Sequence, residues 1–262
     1  MKKLTEGKTK IIYDVGEGQV IMFSKDDITA GDGTQRDVIP GKGAVATRTT
    51  ANVFRLLNRN SIPTHFVEQI DAVRLRCIKC EMIPLEVTIR GTAAGHYVKR
   101  NPNVKEGTDL EELIVDFTFK DDARHDPLVV VAEDGTWELH DPEKPVGPDT
   151  LIEEIAPLLS AKEIDLAKEI GKRTFLVLKE AWGKIGVKFI DLKIEFGRPE
   201  GNRLIIADVI DNDSWRLWPD GDKTRQLDKQ IYREGGTLDE VLRNYEIVAD
   251  ITDRFVSNAG VQ

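Results

Sequence analysis

Residues 187–210 constrain the fold more than any other segment, because their pattern predicts two paired strands. From Ile190 to Phe196 apolar and charged residues alternate, which is typical of a strand with one face in the core. Residues 204–210 are apolar on both faces except at Asp208, which indicates a second strand that is covered on both sides. The connection RPEGNR at 198–203 predicts that the two strands pair as a hairpin.

The charged residues of this hairpin suggest a ligand site. The first strand carries Asp191, Lys193 and Glu195 on one face, and Asp208 of the second strand is expected to be sheltered beside Glu195. A buried carboxylate without a partner costs on the order of several kcal/mol, so a metal ion or the amine of Lys193 would have to pair with it. Two carboxylates with a lysine between them suggest magnesium that holds the phosphates of a nucleotide. The alternative is an exposed edge strand with a solvated charged face.

Composition limits the class of protein. The chain has 262 residues, of which 40% are hydrophobic, enough for one large domain or two modest ones. Its net charge of -9 argues against nonspecific nucleic-acid binding and favours a small-molecule partner. No apolar run approaches the roughly 18 residues that span a bilayer, so we expect a cytoplasmic protein without membrane association. Cys77 and Cys80 form a single CxxC in a strand-like run and are interpreted as reduced packing residues.

The amino-terminal region contains a glycine turn with two lysines. Residues 8–15 and 19–25 are predicted to be strands. The sequence at 7–9 is not a Walker A motif, because the required first glycine would fall at Lys2 and a strand follows. A glycine-containing turn with Lys8 and Lys10 projecting can instead fold over nucleotide phosphates, although a solvated basic terminus is the alternative.

A lobe boundary is predicted near residues 81–84. Residues 26–34 read as a loop and 44–60 as a helix, after which strands are predicted at 64–70 and 72–82. Pro84 then breaks the pattern. We therefore predict a small antiparallel lobe with one helix over residues 1–82 and a larger α+β lobe over residues 83–262.

The second lobe is predicted to open with an anion site. A strand at 85–90 runs into small residues at 91–95, where the amides of a new helix turn favour an anion that Arg90 would grip. A Gly/Ala junction packed against another element is the alternative. The charged residues after a strand at 114–119 can form a solvated loop, yet Lys120 could reach a nucleotide phosphate and Asp126 could orient a ligand or a side chain.

The remaining segments complete the predicted lobe. Residues 134–149 are predicted to be a surface excursion. A capping box at 160–163 opens the longest helix, and a second box at 237–240 opens the last one. Between them, Lys229 and Arg233 lie one helical turn apart.

Seven segments, taken in order, resemble the SAICAR synthetase family of purine biosynthesis. They are GKTK at 7–10, TAGDG at 29–33, IPLEVTIRGTAAG at 83–95, FKDDARHDP at 119–127, DLKIEFG at 191–197, SWRLW at 214–218 and LDKQIYR at 227–233. The resemblance implies a small antiparallel lobe followed by a larger α+β lobe related to ATP-grasp enzymes, with ATP in the cleft between them.

The same resemblance implies a ligase that uses ATP and Mg2+. It would join the carboxylate of 5-amino-1-(5-phospho-D-ribosyl)imidazole-4-carboxylate (CAIR) to the amine of L-aspartate through an acyl phosphate. The products would be SAICAR, ADP and phosphate. A homodimer is also implied.

Residue roles follow from the matched positions. ATP would contact a set made up of Lys8, Lys10, Lys120, Lys193, Glu195, Asp208 and the backbone at Glu81 and Met82. Glu195 and Asp208 would hold the metal, and Lys193, Asp191 and Lys120 would be catalytic. The substrates would contact Asp32, Arg90, Gly95, His96, Asp126, Arg216, Lys229 and Arg233.

Three departures from the family pattern and two other functions are also considered. The family usually has serine where His96 stands, and the segment between Pro127 and Ser160 is longer than usual. Asp208 is followed by VIDN at 209–212, where the family often has Glu and later Ser-Pro. A small-molecule phosphotransferase on the same scaffold would use the same lysines and carboxylates. A nucleotide-binding regulatory module would bind MgATP without catalysis.

Overall fold

A computed structural model of the chain describes residues 1–31, 33–201 and 203–257. Within them the fold is α+β, as predicted, with three sheets whose strands pair antiparallel. The helices are α1 (Lys42–Arg59), α2 (His96–Arg100), α3 (Ala161–Gly183), α4 (Gln230–Arg233) and α5 (Leu238–Ser257). None of these helices is long and apolar enough to cross a membrane.

The amino-terminal half contributes a five-stranded sheet and a separate hairpin. The sheet has the order β1-β2-β3-β7-β6. Its strands are β1 (Lys2–Glu6), β2 (Lys10–Gly16), β3 (Gln19–Ser24), β6 (Phe66–Gln69) and β7 (Arg74–Ile78). The hairpin consists of β4 (Asp27–Ala30) and β5 (Gln35–Val38).

The β4–β5 hairpin corrects the prediction of a loop over residues 26–34. The turn-forming residues that suggested a loop lie at the tip of the hairpin, while Ile28 of β4 is fully buried. Asp26 precedes β4, and its carboxylate accepts hydrogen bonds from the backbone N–H groups of Gly41 and Gly43 at 3.1 and 2.8 Å. The carboxylate thereby satisfies free donors at the start of α1.

The larger sheet has eight strands. Its order is β12-β11-β10-β9-β8-β13-β14, and β15 also pairs with β13. These strands are β8 (Cys80–Thr92), β9 (Asp109–Phe119), β10 (Leu128–Val131), β11 (Trp137–His140), β12 (Leu151–Ile155), β13 (Val187–Pro199), β14 (Ile205–Ala207) and β15 (Trp215–Pro219). The predicted hairpin is confirmed as β13–β14, although β14 is shorter than the predicted strand.

One face of the eight-stranded sheet packs under α3. Ile89 of β8 and Ile194 of β13 are buried on this face, and Gly171 of α3 lies directly against them. A Cβ at Gly171 would be 3.0 Å from Ile89 Cδ1, so the helix can approach only because this residue has no side chain. The capping box predicted at the start of α3 is present, with Ser160 and Glu163 bonded reciprocally.

The predicted lobe boundary falls inside one strand. β8 runs through Pro84, whose carbonyl accepts from Lys120 N at 3.0 Å, while ladder pairing with β9 begins at Leu85. The last helix also returns to the first half of the chain, since Asn52 of α1 donates to Asp253 of α5 at 2.7 Å. The division into residues 1–82 and 83–262 therefore remains a proposal.

The segment predicted as a surface excursion is partly strand. β11 adds to the large sheet between β10 and β12, and Trp137 and Leu139 are buried there. The prediction was wrong for these residues because the Pro and Gly residues that suggested it lie on either side of the strand. The loop between β11 and β12 remains at the surface and contacts α2, where Arg100 Nη1 donates to the carbonyl of Pro142 at 3.2 Å.

Candidate active site

The second face of the large sheet is polar across its central strands. Alternate residues of a strand point to the same face, so Asp191, Lys193 and Glu195 of β13 share it. The ladder places Arg90 opposite Asp191 and Glu86 opposite Glu195. The alternation seen in the sequence therefore marks a polar surface that two adjacent strands build together.

Three carboxylates and three lysines form the carboxylate–lysine cluster at one end of this face. Its members are Lys10, Glu86, Lys120, Lys193, Glu195 and Asp208. Lys120 Nζ lies 2.6 Å from Glu195 Oε1, and Lys10 donates a hydrogen bond to Asp208. Glu195 is 8% exposed. A sheltered charge requires a cationic partner, and Glu195 and Asp208 each have one in these lysines.

The partner of Asp208 differs from the one considered from the sequence. Lys193 Nζ lies 2.5 Å from Glu86 Oε1, and the amine at Asp208 is that of Lys10. Asp208 follows β14 and meets Lys10, the first residue of β2 in the other sheet. Strand periodicity could not predict that contact, because it joins residues that are 198 positions apart in two different sheets.

Neighbouring charges shift the pKa values within the cluster. Burial alone would raise the pKa of Asp208, but Lys10 and Lys120 outweigh it and lower that pKa to about 2. Burial and the charge of Asp208 together raise the pKa of Glu195. Burial opposes the charge of Lys193, yet Glu86 and Glu195 outweigh it and raise its pKa. Asp208 and Lys193 are therefore charged at neutral pH.

The glycine turn leads directly into Lys10 of the carboxylate–lysine cluster. It lies between β1 and β2, where Gly7 N donates to the carbonyl of Lys10 at 2.8 Å. Lys8 Nζ reaches Asp122 Oδ2 at 2.6 Å, in the loop after β9. The predicted glycine turn between strands is present. Lys8 extends from it to Asp122, outside the cluster, and Lys10, the first residue of β2, pairs with Asp208 inside the cluster.

A second group on the polar face is the arginine cluster. It consists of Arg90, Arg100, Asp116, Asp191 and Arg216. Arg90 Nη1 lies 2.8 Å from Asp191 Oδ2, to which Arg216 also donates. Arg100 Nη2 lies 2.6 Å from Asp116 Oδ2, which Arg90 Nε contacts at 3.4 Å. Three guanidinium groups share two carboxylates, and this excess of positive charge suits a bound anion such as phosphate.

The turn that follows β8 brings its backbone against Arg216. Gly95 has a φ of +59°, and a Cβ there would lie 2.7 Å from Arg216 Nη2. His96 begins α2 at the surface, with Nε2 3.6 Å from Glu143 Oε1. Glu143 also accepts from Lys99 at 2.5 Å, so the loop between β11 and β12 borders this turn.

Lys229 immediately precedes α4 and lies in a third buried polar group. Its Nζ is 2.8 Å from Asp213 Oδ2, and Tyr245 of α5 donates to the same carboxylate. Burial lowers the pKa of Lys229, and the charges of Arg233 and Lys42 add to this effect. Arg233 itself is exposed, so of the two predicted cations only Lys229 is enclosed.

Three of the remaining predicted positions, Glu81, Met82 and Asp126, are not members of the clusters. Glu81 and Met82 are exposed on β8, in the stretch that pairs with β13 before the ladder with β9 begins. Asp126 accepts from Asp121 N at 2.7 Å, and burial and the nearby charge of Glu86 raise its pKa. Asp32 lies outside the described residues.

Comparison with known proteins identifies the family. A model of the family described as SAICAR synthetase matches residues 3–250. The phosphoribosylaminoimidazole-succinocarboxamide synthase of Roseiflexus sp. (strain RS-1) is 46% identical over 265 residues, covering 98% of this chain and 98% of the relative. That of Herpetosiphon aurantiacus is 45% identical over 260 residues, covering 97% and 98%. The chain belongs to the SAICAR synthetase family.

Solved structures of family members agree with this assignment. The phosphoribosylaminoimidazole-succinocarboxamide synthase of Ehrlichia chaffeensis matches with a TM-score of 0.80 at 29% identity, covering 96% of this chain and 98% of that one. A SAICAR synthetase in complex with ADP matches with a TM-score of 0.80 at 31% identity, covering 95% and 96%. The α+β architecture is therefore that of the SAICAR synthetases.

The carboxylate–lysine cluster fits a magnesium ion held partly by substrate. Among the described residues no group of three or more His, Cys, Asp and Glu side chains could hold a metal. Mg2+ in nucleotide sites is bound by one or two carboxylates together with phosphate oxygens and water, so a full protein cage is not required. Glu195 and Asp208 supply hard oxygen donors. Glu195 is buried and Asp208 is half-buried, and each is paired with a lysine, so both carboxylates suit a bound cation.

Several residues of these clusters were not identified from the sequence of this SAICAR synthetase family member. Glu86 is four residues before Arg90 on β8, and the two-residue period of a strand already indicated that both lie on the polar face. Asp213 and Tyr245 gave no comparable signal, because their contact depends on how α5 packs. Arg100 and Asp116 likewise meet only through the turn of the chain between β8 and β9.

Proposed function

We propose that this chain is the ATP-dependent ligase that joins the carboxylate of CAIR to the amine of L-aspartate in de novo purine (IMP) biosynthesis. SAICAR, ADP and phosphate are the products. The observation that carries the proposal is the arrangement of β13, where Glu195, Lys193 and Asp191 link the carboxylate–lysine cluster to the arginine cluster on one face. The names of the full-length relatives support it.

The carboxylate–lysine cluster is the proposed nucleotide site. Lys8, Lys10, Lys120 and Lys193 would contact the phosphates, and the backbone at residues 81–82 would contact adenine. Glu195 and Asp208 would hold Mg2+, which supplies positive charge to the phosphoryl group when bound. Each lysine already neutralises a carboxylate. Glu195 and Asp208 would hold the metal when MgATP is bound, and the lysines released from these carboxylates would then contact the phosphates.

The arginine cluster is the proposed site of the ribonucleotide phosphate. Arg90 and Arg216 would grip the phosphate beside the turn at Gly95 and His96, since their guanidinium groups outnumber the carboxylates there. Lys229, at the start of α4, and Arg233, at its end, would contact the substrates. Asp32, Asp126 and Asp191 are proposed on the substrate side, where Asp191 fixes both arginines.

The chemistry requires activation of a carboxylate. A carboxylate oxygen of CAIR attacks the γ-phosphorus of ATP and ADP leaves, which gives an acyl phosphate. The amine of L-aspartate then attacks the carbonyl carbon, and phosphate and a proton are released. No enzyme nucleophile is needed, so the residues act by positioning the reactants and stabilising charge. Lys193 and Lys120 stabilise the transferred phosphoryl group, and Lys193 lies on β13 between the two clusters.

The proposal extends to organisation and location. Residues 1–82 would form the lobe that covers ATP, and residues 83–262 the ATP-grasp-like lobe that holds metal and substrates. A homodimer is proposed from the family resemblance, and a cytoplasmic location from the role of the family in purine biosynthesis and from the sequence. Light scattering on the purified protein measures the assembly directly, and a monomeric mass would contradict the dimer.

The test is ADP release with MgATP, CAIR and L-aspartate, leaving out each component in turn. We expect release to require both CAIR and aspartate, with a succinocarboxamide product. ADP release together with a stable phosphorylated product in the absence of aspartate would instead indicate a phosphotransferase. Tight MgATP binding without CAIR-dependent release would indicate a regulatory module.

A further inference from the structure

Asp208 has an unfavourable backbone conformation. Its φ is +62°, in the left-handed region where a residue with a Cβ is strained. Asp208 lies immediately after β14, whose pairing with β13 ends at Ala207. Strained residues persist only where surrounding contacts hold them, so the neighbours of this carboxylate are informative.

His65 supplies one of these contacts. Its Nε2 lies 2.9 Å from the backbone carbonyl oxygen of Asp208. A carbonyl oxygen can only accept a hydrogen bond, so Nε2 carries the proton and donates it. The imidazole ring is itself fixed, since His65 is 6% exposed and its ring packs edge-on against Phe54 at 5.4 Å between centroids.

The backbone around His65 is also hydrogen-bonded to β14. His65 N donates to the carbonyl of Ile206 at 2.8 Å, and Ile206 N donates to the carbonyl of Pro63 at 3.0 Å. Two backbone bonds and one side-chain bond thus connect residues 63–65 to the end of β14. The side-chain bond is the one that reaches Asp208.

We propose that His65 is a positioning residue that holds the left-handed backbone of Asp208 and so directs its carboxylate toward the metal beside Glu195. The inference rests on the proposed function, because it takes Asp208 as a metal ligand. The hydrogen bond carries the role, and no change in the charge of the ring is involved. Groups that orient metal ligands commonly affect metal affinity about 10- to 100-fold.

Two amide substitutions separate the hydrogen bond from the bulk of the side chain. In His65→Gln the amide nitrogen is as many bonds from Cα as Nε2, so it can donate to the same carbonyl. In His65→Asn the amide is one bond shorter and cannot reach. His140→Asn is the matched control, because His140 is 3% exposed and hydrogen-bonded to Glu138 and Thr150, outside the clusters.

The measurement is the dissociation constant of ADP, by calorimetry, with Mg2+ and with EDTA. We expect the gain in affinity due to Mg2+ to fall about 10-fold in His65→Asn and to be retained in His65→Gln and His140→Asn. Affinity in EDTA should not change. If His65→Asn keeps the gain and only unfolds at lower temperature, as His140→Asn would, the role is merely structural and the inference is overturned. Loss of the gain in His65→Gln would also overturn it.

A measurement on the unmodified protein keeps the inference testable if His65→Asn does not fold. Nitrogen-15 NMR of labelled histidines should show His65 as the Nε2–H tautomer, and the Nδ1–H tautomer would overturn the inference. If the unmodified protein gains no ADP affinity from Mg2+ but still forms product from CAIR and aspartate, the metal role of Asp208 and this inference both fail. The ligase proposal then still stands.

Discussion

Replacing Gly95 by alanine tests whether Arg216 binds substrate. The new Cβ would lie 2.7 Å from Arg216 Nη2, so the guanidinium group has to move. Its ion pair with buried Asp191 resists that movement. A hydrogen bond to a charged group is worth about 1.5–3 kcal/mol, and at 1.4 kcal/mol for each factor of ten this predicts roughly 10- to 150-fold weaker binding of CAIR.

Gly135→Ala is the control for the backbone effect. Gly135 lies between β10 and β11 with a φ of +90°, and nothing is within 4 Å of its Cβ position. Both substitutions place alanine at positive φ, a backbone conformation that is strained for a residue with a side chain, so both are expected to lower the free energy of unfolding. Only Gly95→Ala should weaken CAIR binding, while the affinity for MgATP should be unchanged in both.

The assay is calorimetric titration of CAIR, with the free energy of unfolding from urea denaturation. Equal CAIR affinity in Gly95→Ala and the unmodified protein would refute the assignment of Arg216 to the substrate. A parallel loss of CAIR and MgATP affinity would show instead that the substitution damages the whole face.

Three further predictions concern the carboxylates and the thiols. Glu195→Gln or Asp208→Asn should abolish turnover while the circular dichroism spectrum stays native, and near-normal turnover in both would contradict the metal assignment. The pKa of Asp208 is lowered from 3.8, the value taken for the unfolded chain, to about 2 in the folded protein. In EDTA, the ionised carboxylate therefore stabilises the fold at pH values above 3.8, and this contribution is lost as the pH falls toward about 2. The difference in free energy of unfolding between the unmodified protein and Asp208→Asn should therefore shrink over that interval, and a constant difference would contradict the pairing with Lys10. Burial raises the pKa of Cys77 to about 12 and that of Cys80 to about 11, so neither thiol should react with a disulfide reagent at pH 8 until the chain unfolds.

Local patterns predicted the elements whose signals lie within a few residues. The alternation at 190–196 identified β13, and two capping boxes identified the starts of α3 and α5. The hairpin at 27–38 was missed because the turn residues at its tip outweighed the weak signal of its two four-residue strands. The strand β11 was missed for the same reason. Turn chemistry marks where a chain reverses, and it does not exclude strands on either side of the reversal.

The pairing of charges was less predictable than their presence. Lysines and carboxylates of the site were recognisable one by one, but which amine meets Asp208 depends on how two sheets pack. Lys10 takes that position because Asp208 extends past β14 toward β2, and Lys193 remains with Glu86. Sequence periodicity places a residue on a face of its own strand, and it carries no information on the partner that approaches from another sheet.

The balance of charge explains why an acidic chain can bind three anionic reactants. The net charge is -9, yet in the carboxylate–lysine cluster every carboxylate faces an amine, and in the arginine cluster cations exceed carboxylates. Lysines that faced one another without carboxylates would repel and would also lose solvation inside the site. In the proposed nucleotide site the carboxylates would thus hold the amines in place before the nucleotide binds, and a metal bound with the phosphates would supply the positive charge that the amines supply now. A substitution that removes one carboxylate is then expected to disturb its lysine as well as the metal, so the two effects have to be separated by measuring nucleotide affinity in EDTA.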